Sequence, residues 1–413
     1  MNKKSKNIFI KNFTNLSLNQ GINIIVAIVI TPILYQNLGD SQFGLVNLAF
    51  SIFMLISIIV SYGYHLNGPK QISLLTKLNQ EADLIKDLVS LRLVIAAILS
   101  ILILALTYST NLFNNYELII LFSIPILFSE ALHPVFYLQG KNNLSVLAIL
   151  NAFSKLFYLG LIVLSINNEN DAFKVNFIYG CVLLLSYLAY WILFFQRNKL
   201  KFVFAGINKI KYRFKENFQF FMSSLAGHIS IHSGLIILKL FVNDSELGKF
   251  ALANRIAFLL RMIPVFIIQS VLQNASKINQ NNSFKLNNYL NYYFKRGLII
   301  TFLIGLFFTV FSKWIILIFS GQEIIYSNQI LSLLSFIPFM AMLNFKNILV
   351  ILVNEKKEIL NNATWISLFI MLPLAFVLSF YYKGFGLAIA LLISEFISFI
   401  VHTILLSKSD VSK

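Results

Sequence analysis

The 413-residue chain has one cysteine, Cys181, five histidines and only 16 acidic residues. One cysteine rules out an intramolecular disulfide and a cysteine-built metal site. No His/Cys/carboxylate group has metal-ligand spacing, so no metal and no cofactor are expected. A Walker phosphate loop is missing too, which argues against ATP hydrolysis. Charged residues of either sign make up only 12% of the chain. The remainder is 58% hydrophobic and 15% aromatic, with a mean hydropathy of +0.78. No soluble domain of this length hides so much apolar surface, so lipid must be its main solvent.

The apolar runs reach about 20 residues, enough for a helix to cross a ~30 Å hydrocarbon core. A transmembrane barrel needs shorter, alternating segments, so the expected class is an all-α integral membrane protein. Twelve spans are expected, at 14–35, 43–66, 89–109, 117–138, 143–165, 172–195, 217–241, 248–273, 292–318, 325–353, 360–381 and 384–407. The first is too long for a cleavable signal peptide and lacks a small-residue cleavage site.

The net charge of +17 is sided. Of the 33 Lys and Arg residues, 24 lie at the termini or in alternate connections, among them 67–92 and 196–215. The opposite connections hold only Lys174, Lys249 and Lys383. The positive-inside rule then puts both termini in the cytoplasm, consistent with an even number of spans. The abundance of Lys, Asn, Ile and Phe fits an AT-rich coding sequence, which explains the total charge but not its sidedness. Aromatic-basic pairs such as Lys201-Phe202 and Lys211-Tyr212 read as anchors for anionic membrane lipids, not as a nucleic-acid surface.

Two segments 204 residues apart match. Asp40-Ser41-Gln42-Phe43-Gly44 recurs as Asp244-Ser245-Glu246-Leu247-Gly248, and Leu48, Ala49, Ile52, Leu55 and Ile59 recur at the same offset. Arg92 and Arg296 keep that register, as do Pro134 and Pro338. The chain reads as two parallel copies, 1–200 and 201–413, each a six-helix bundle, with a cleft between them. The repeated motif reads as a structural turn, its Asp-Ser pairs suited to cap the following helices. Prolines at 32, 125, 134, 264, 338 and 373 lie inside spans, where each can kink a helix.

A charge at bilayer depth costs at least about 2.5–3.5 kcal/mol, so buried ionisable groups mark the candidate site. Lys155 is near mid-span. Arg255 and Arg261 are on the eighth span, and Lys239 ends the seventh. These four are the expected substrate-binding cations. Lys239 and Arg255 are close enough to helix ends to snorkel instead. Glu130, Glu395, His228 and His232 are the ion-coupling candidates; the carboxylates can equally be counter-ions, and the imidazoles neutral packing groups. In the first copy Lys239, Arg255 and Arg261 correspond to Tyr35, Ser51 and Ser57. Packing alone therefore does not require the charges. A deep cationic cavity suits phosphates and pyrophosphates.

Several short motifs, each weak alone, occur in order: Asn15 through Pro32, Leu38-Gly39-Asp40-Ser41-Gln42-Phe43-Gly44, Tyr62-Gly63 before Lys70, Gln139-Gly140-Lys141, Asn354-Glu355-Lys356-Lys357 and Gly384-Phe385-Gly386-Leu387-Ala388. With the span count and charge layout, the whole chain resembles the Wzx-type polysaccharide flippase branch of the multidrug/oligosaccharidyl-lipid/polysaccharide exporter superfamily. The resemblance implies a MATE-like fold and an undecaprenyl-pyrophosphate-linked oligosaccharide, such as an O-antigen unit, as substrate. It implies alternating access across the bacterial inner membrane, coupled to a proton or sodium gradient. The partners it implies are a polysaccharide polymerase and glycosyltransferases of the same pathway. A drug or cation antiporter of the same superfamily would favour an acidic cavity. A membrane polymerase or glycosyltransferase would need a catalytic carboxylate or a long outer loop.

Overall fold

The structure, a computed structural model, describes residues 3–279 and 283–411, and among these every regular element is helical. In chain order the α-helices are α1 Lys3–Ser61, α2 Tyr64–Ser73, α3 Leu78–Ser109, α4 Glu117–Phe122, α5 Pro125–Leu132, α6 Val135–Gly140, α7 Leu144–Ser165, α8 Ala172–Arg197 and α9 Ile207–Glu216. They continue with α10 Phe218–Lys239, α11 Asp244–Asn279, α12 Ser283–Val310, α13 Ser312–Ser320, α14 Ile325–Leu334, α15 Ile337–Leu343, α16 Phe345–Val353 and α17 Lys357–Val411.

Ten helical stretches among the described residues are long and apolar enough to cross a membrane. Two of them, Gly21–Ser73 and Lys357–Ser409, are 53 residues each. A straight helix of that length would run about 80 Å, well beyond a bilayer core. Both are interrupted. Gly39 takes φ 68° and ψ 175°, and Lys383 takes φ 51° and ψ −130°. At Lys383 the chain doubles back: a Cβ on Gly386 would collide with the Leu378 carbonyl oxygen. In an unbroken helix those residues would be about 12 Å apart along the axis.

The helices are apolar nearly all round. Ile98, Ile101 and Leu102 on α3, Leu185 on α8, and Leu303 and Phe307 on α12 are all exposed in the protein alone. Residues of this kind facing outward on many helices are what a lipid solvent permits and water does not.

Two compact units are present, Met1–His228 and Ile229–Lys413. In the first, α5 packs on α8, α1 on α7 and α2 on α6. In the second, α11 packs on α12 and α14, and α17 on α15 and α16. The division falls inside α10, beyond the basic 196–215 connection, because α9 and the start of α10 dock on the first unit. Arg213 and Lys209 of α9 pair with Asp87 of α3 at 3.2 and 3.8 Å. Asn67 donates to Asn217 at 2.9 Å, and the Phe221 ring stacks on Tyr62. Burial opposes the Arg213 charge, but the Glu216 and Asp87 carboxylates outweigh it and hold its pKa above the ordinary value.

Two expectations need correction. The 67–92 connection is largely helical: it comprises α2 and the first half of α3, and Arg92 lies deep within the latter. Nor does Asp244 cap its helix. Asn243 does, its side-chain oxygen accepting the Glu246 N–H at 2.8 Å, while Asp244 is the first helical residue.

Candidate functional site

Lys155 is in the middle of α7, half-buried. Its ammonium donates to the Tyr179 hydroxyl at 3.3 Å and is 4.3 Å from the centre of the same ring. Phe50 and Tyr158 meet that ring edge-on. Among the described residues no carboxylate pairs with Lys155. An aromatic face stabilises a cation by about 0.5–2 kcal/mol, less than a carboxylate does, and leaves the ammonium able to bind an anion.

Arg261 on α11 pairs with Glu395 on α17. The Arg261 side chain is 35% exposed and that of Glu395 14%. The counter-ion reading of Glu395 therefore holds for Arg261, and part of the guanidinium stays open. Lys239 pairs with Asp244 across the turn into α11. Its chain equivalent Tyr35 donates to Asp40 at 2.5 Å, so the same link is made with and without a cation. Arg255 on α11 and His232 on α10 are half-buried, and neither is isolated from other groups. His228 lies against the Ser224 carbonyl oxygen at 3.1 Å, its ring 6.2 Å from that of His65.

Glu130 belongs to a cluster that its sequence position alone does not reveal. Pro134 has no N–H, so the Glu130 carbonyl lacks its usual donor four residues on and takes the His133 N–H at 3.2 Å instead. The residue before a proline is pushed towards extended backbone, and His133 takes φ −57° and ψ 116°, which separates α5 from α6. Arg92 fills this gap. Its guanidinium donates to the carbonyls of Glu130 and His133, the latter at 3.2 Å, and pairs with the Glu130 carboxylate at 3.1 Å. Trp191 takes the neighbouring Leu132 carbonyl at 2.7 Å. His133 Nδ1 is 3.7 Å from the other Glu130 oxygen, and its ring stacks on Tyr187. Arg92 is only 1% exposed, the largest of the fully buried side chains. The charge count assigns it to the 67–92 connection, although the expected 89–109 span already contains it. The usable signal was Pro134, whose missing donor requires a substitute in an apolar setting.

Among the described residues no group of three or more His, Cys, Asp or Glu is placed to hold a metal ion. In the first unit one cation, Lys155, rests on an aromatic face and another, Arg92, seals a broken helix; in the second unit Arg261 is shared with a carboxylate.

The model of the family described as "Polysaccharide biosynthesis protein" matches residues 9–273. A protein of Escherichia coli (strain K12) named "Putative O-antigen transporter" is 24% identical over 405 residues, covering 93% of each chain. One of the same name from Shigella dysenteriae is 25% identical, covering 93% of this chain and 96% of its own. Among solved structures, the lipid II flippase MurJ in an inward closed conformation superposes with a TM-score of 0.75 at 16% identity, over 95% of this chain and 86% of that one. An inward-facing multidrug resistance MATE family transporter of the MOP superfamily gives 0.70 at 16% identity, over 95% and 96%. These likenesses establish a MurJ- and MATE-like all-helical fold, as the sequence led us to expect. By the extent of the family match, this chain belongs to the polysaccharide biosynthesis protein family.

Proposed function

We propose that the chain is a flippase, not an enzyme, and that it moves an undecaprenyl-pyrophosphate-linked oligosaccharide from the cytoplasmic to the periplasmic leaflet of the bacterial inner membrane. The observation that carries this is Lys155, a mid-helix cation held by Tyr179 and by no carboxylate. A group that costs so much to bury, and that folding does not neutralise, is available to an anion. Its aromatic neighbours offer flat apolar faces on which sugar rings can rest. The family membership and the names of the relatives support the same reading.

In this reading the chain crosses twelve times, the two 53-residue stretches each crossing twice, with both termini in the cytoplasm. The two sequence halves, 1–200 and 201–413, move as alternating-access partners. Lys155 and Arg261 engage the pyrophosphate or an acidic sugar, with Arg255 as a further basic contact. The arriving anion competes with Glu395 for Arg261, and the released carboxylate is then free to take a coupling proton or sodium ion. His228 and His232 are further coupling candidates. Polymerase and glycosyltransferases of the same pathway are the expected partners.

The test is complementation. Lys155→Ala and Arg261→Ala, expressed at the normal level in a strain lacking the gene, should each abolish surface polysaccharide, while Lys155→Arg retains part of it. Normal polysaccharide in both alanine variants would overturn the assignment. Restored export of cationic drugs instead would favour an antiporter.

A further inference from the structure

We propose that His133 is a proton-binding site, and that its protonation controls whether Arg92 holds the α5–α6 break closed. Its use as a coupling site rests on the transporter reading; the site itself does not.

As found, the charges of Arg92 and Glu130 cancel. His133 Nδ1, at 3.7 Å from Glu130, is beyond hydrogen-bond range yet within strong Coulombic reach. Its Nε2 is buried without a partner, as is Nε of Arg92. The imidazole is thus held in position by its stack on Tyr187, at 4.8 Å between ring centres, while neither ring nitrogen makes a good hydrogen bond. A proton turns both nitrogens into donors. A shift of under 1 Å then brings Nδ1–H onto the Glu130 carboxylate, in the geometry of a charge-assisted bond.

Glu130 then serves two cations. Its hold on Arg92 weakens, and that guanidinium is what seals the carbonyls of Glu130 and His133. The broken segment also has room to move. A cavity of about 470 Å³ lies beside it, lined by Val89, Leu93, Leu132 and Trp191 among others. The protein leaves 24% of the His133 side chain and 25% of Glu130 uncovered, whereas Arg92 is sealed at 2%.

The groups that face His133 come from every side. They are Arg92 on α3, Glu130 on α5, Tyr187 on α8 and His65 on α2. His228 on α10 stands behind His65. A proton on His65 would repel one on His133, so the cluster takes one proton at a time.

Trp191, which donates to Leu132 at the break, is a built-in reporter. The chain has three tryptophans, so Trp314→Phe with Trp365→Phe leaves it alone. Its emission should be titrated in detergent over about pH 5 to 8, where imidazoles commonly charge. The expected result is a single sigmoidal shift fitting one proton, lost in His133→Gln and His133→Asn and displaced in His65→Gln. Far-UV circular dichroism checks that each variant is folded. A flat curve in the folded parent overturns the proposal. A transition that survives both His133 variants and vanishes in Glu130→Gln also overturns it, by moving the proton to the carboxylate. No gradient or lipid-linked sugar is used, so a protein that fails as a flippase could still pass this test, and the reverse.

Discussion

Lys239 and Asp244 form an ion pair in the register where Tyr35 and Asp40, 204 residues earlier, form a hydrogen bond. The two acids are the same residue of the repeated motif, and each receives a donor five positions before it. What the turn needs is a donor to the aspartate, and a phenol or an ammonium both supply one. This changes the standing of Lys239, whose charge has a local use.

Lys239→Tyr should therefore preserve both thermal stability in detergent and polysaccharide assembly. Asp244→Ala should lower stability by about 1 kcal/mol, the usual cost of losing a partly exposed charge-assisted bond. Loss of assembly in a stable Lys239→Tyr protein would return Lys239 to the substrate site.

The Arg261–Glu395 pair predicts a separation of folding from transport. Either single alanine should destabilise the protein by about 1–3 kcal/mol, less than a sealed pair because Arg261 is partly open. The exchanged pair, Arg261→Glu with Glu395→Arg, should recover most of the melting temperature. Transport should stay low, because the substrate anion would meet a carboxylate where the guanidinium stood. Full activity in the exchanged pair would make the bridge purely structural.

Arg92→Ala should cost about 3 kcal/mol, since it strands the partly buried Glu130 carboxylate and the His133 carbonyl together. Arg92→Lys should rescue only part, because a single ammonium cannot fork across three acceptors. Adding Pro134→Ala to Arg92→Ala should regain about 1 kcal/mol, as a continuous helix would give the His133 carbonyl the Tyr137 N–H as its donor. Additive effects of the two changes in a thermal melt would refute the coupling.

Gly63 predicts a backbone effect. Its φ is 72°, and a Cβ there would be 2.5 Å from the Phe221 nitrogen and 2.6 Å from the Phe220 carbonyl carbon. Backbone cannot yield as a flexible side chain can. Gly63→Ala should cost about 2 kcal/mol or more, the scale of overpacking combined with a left-handed φ, and reduce the yield of folded protein.

Hydropathy made the helical, membrane-borne character plain, and the motif order pointed to the family. Pairing was harder to read. Lys155 was visible because a lone lysine interrupts a long apolar run, but Tyr179, 24 residues on, looked like any aromatic in a span. Arg261 and Glu395 were each visible and could not be joined, because 134 positions separate them and nothing in either helix names the other. Arg92 lay inside the expected 89–109 span, but hydropathy does not show which carbonyls a buried guanidinium serves. The N-cap was missed by one residue: Asn243, Asp244 and Ser245 are all competent caps, and only the geometry chooses Asn243.

The proline break also constrains the order in which this sequence can change. While Pro134 stays, the helix is broken at His133, whose carbonyl takes its hydrogen bond from Arg92, and a replacement of Arg92 that cannot donate leaves it bare. Remove the proline first, and losing the arginine costs less. The second copy keeps the corresponding pair, Arg296 and Pro338, yet Arg296 is exposed and rests on the Tyr292 ring. There the arginine is free to drift. The same residue pair, at the same spacing, is thus a mutual dependency at the α5–α6 break and carries no such dependency around Arg296.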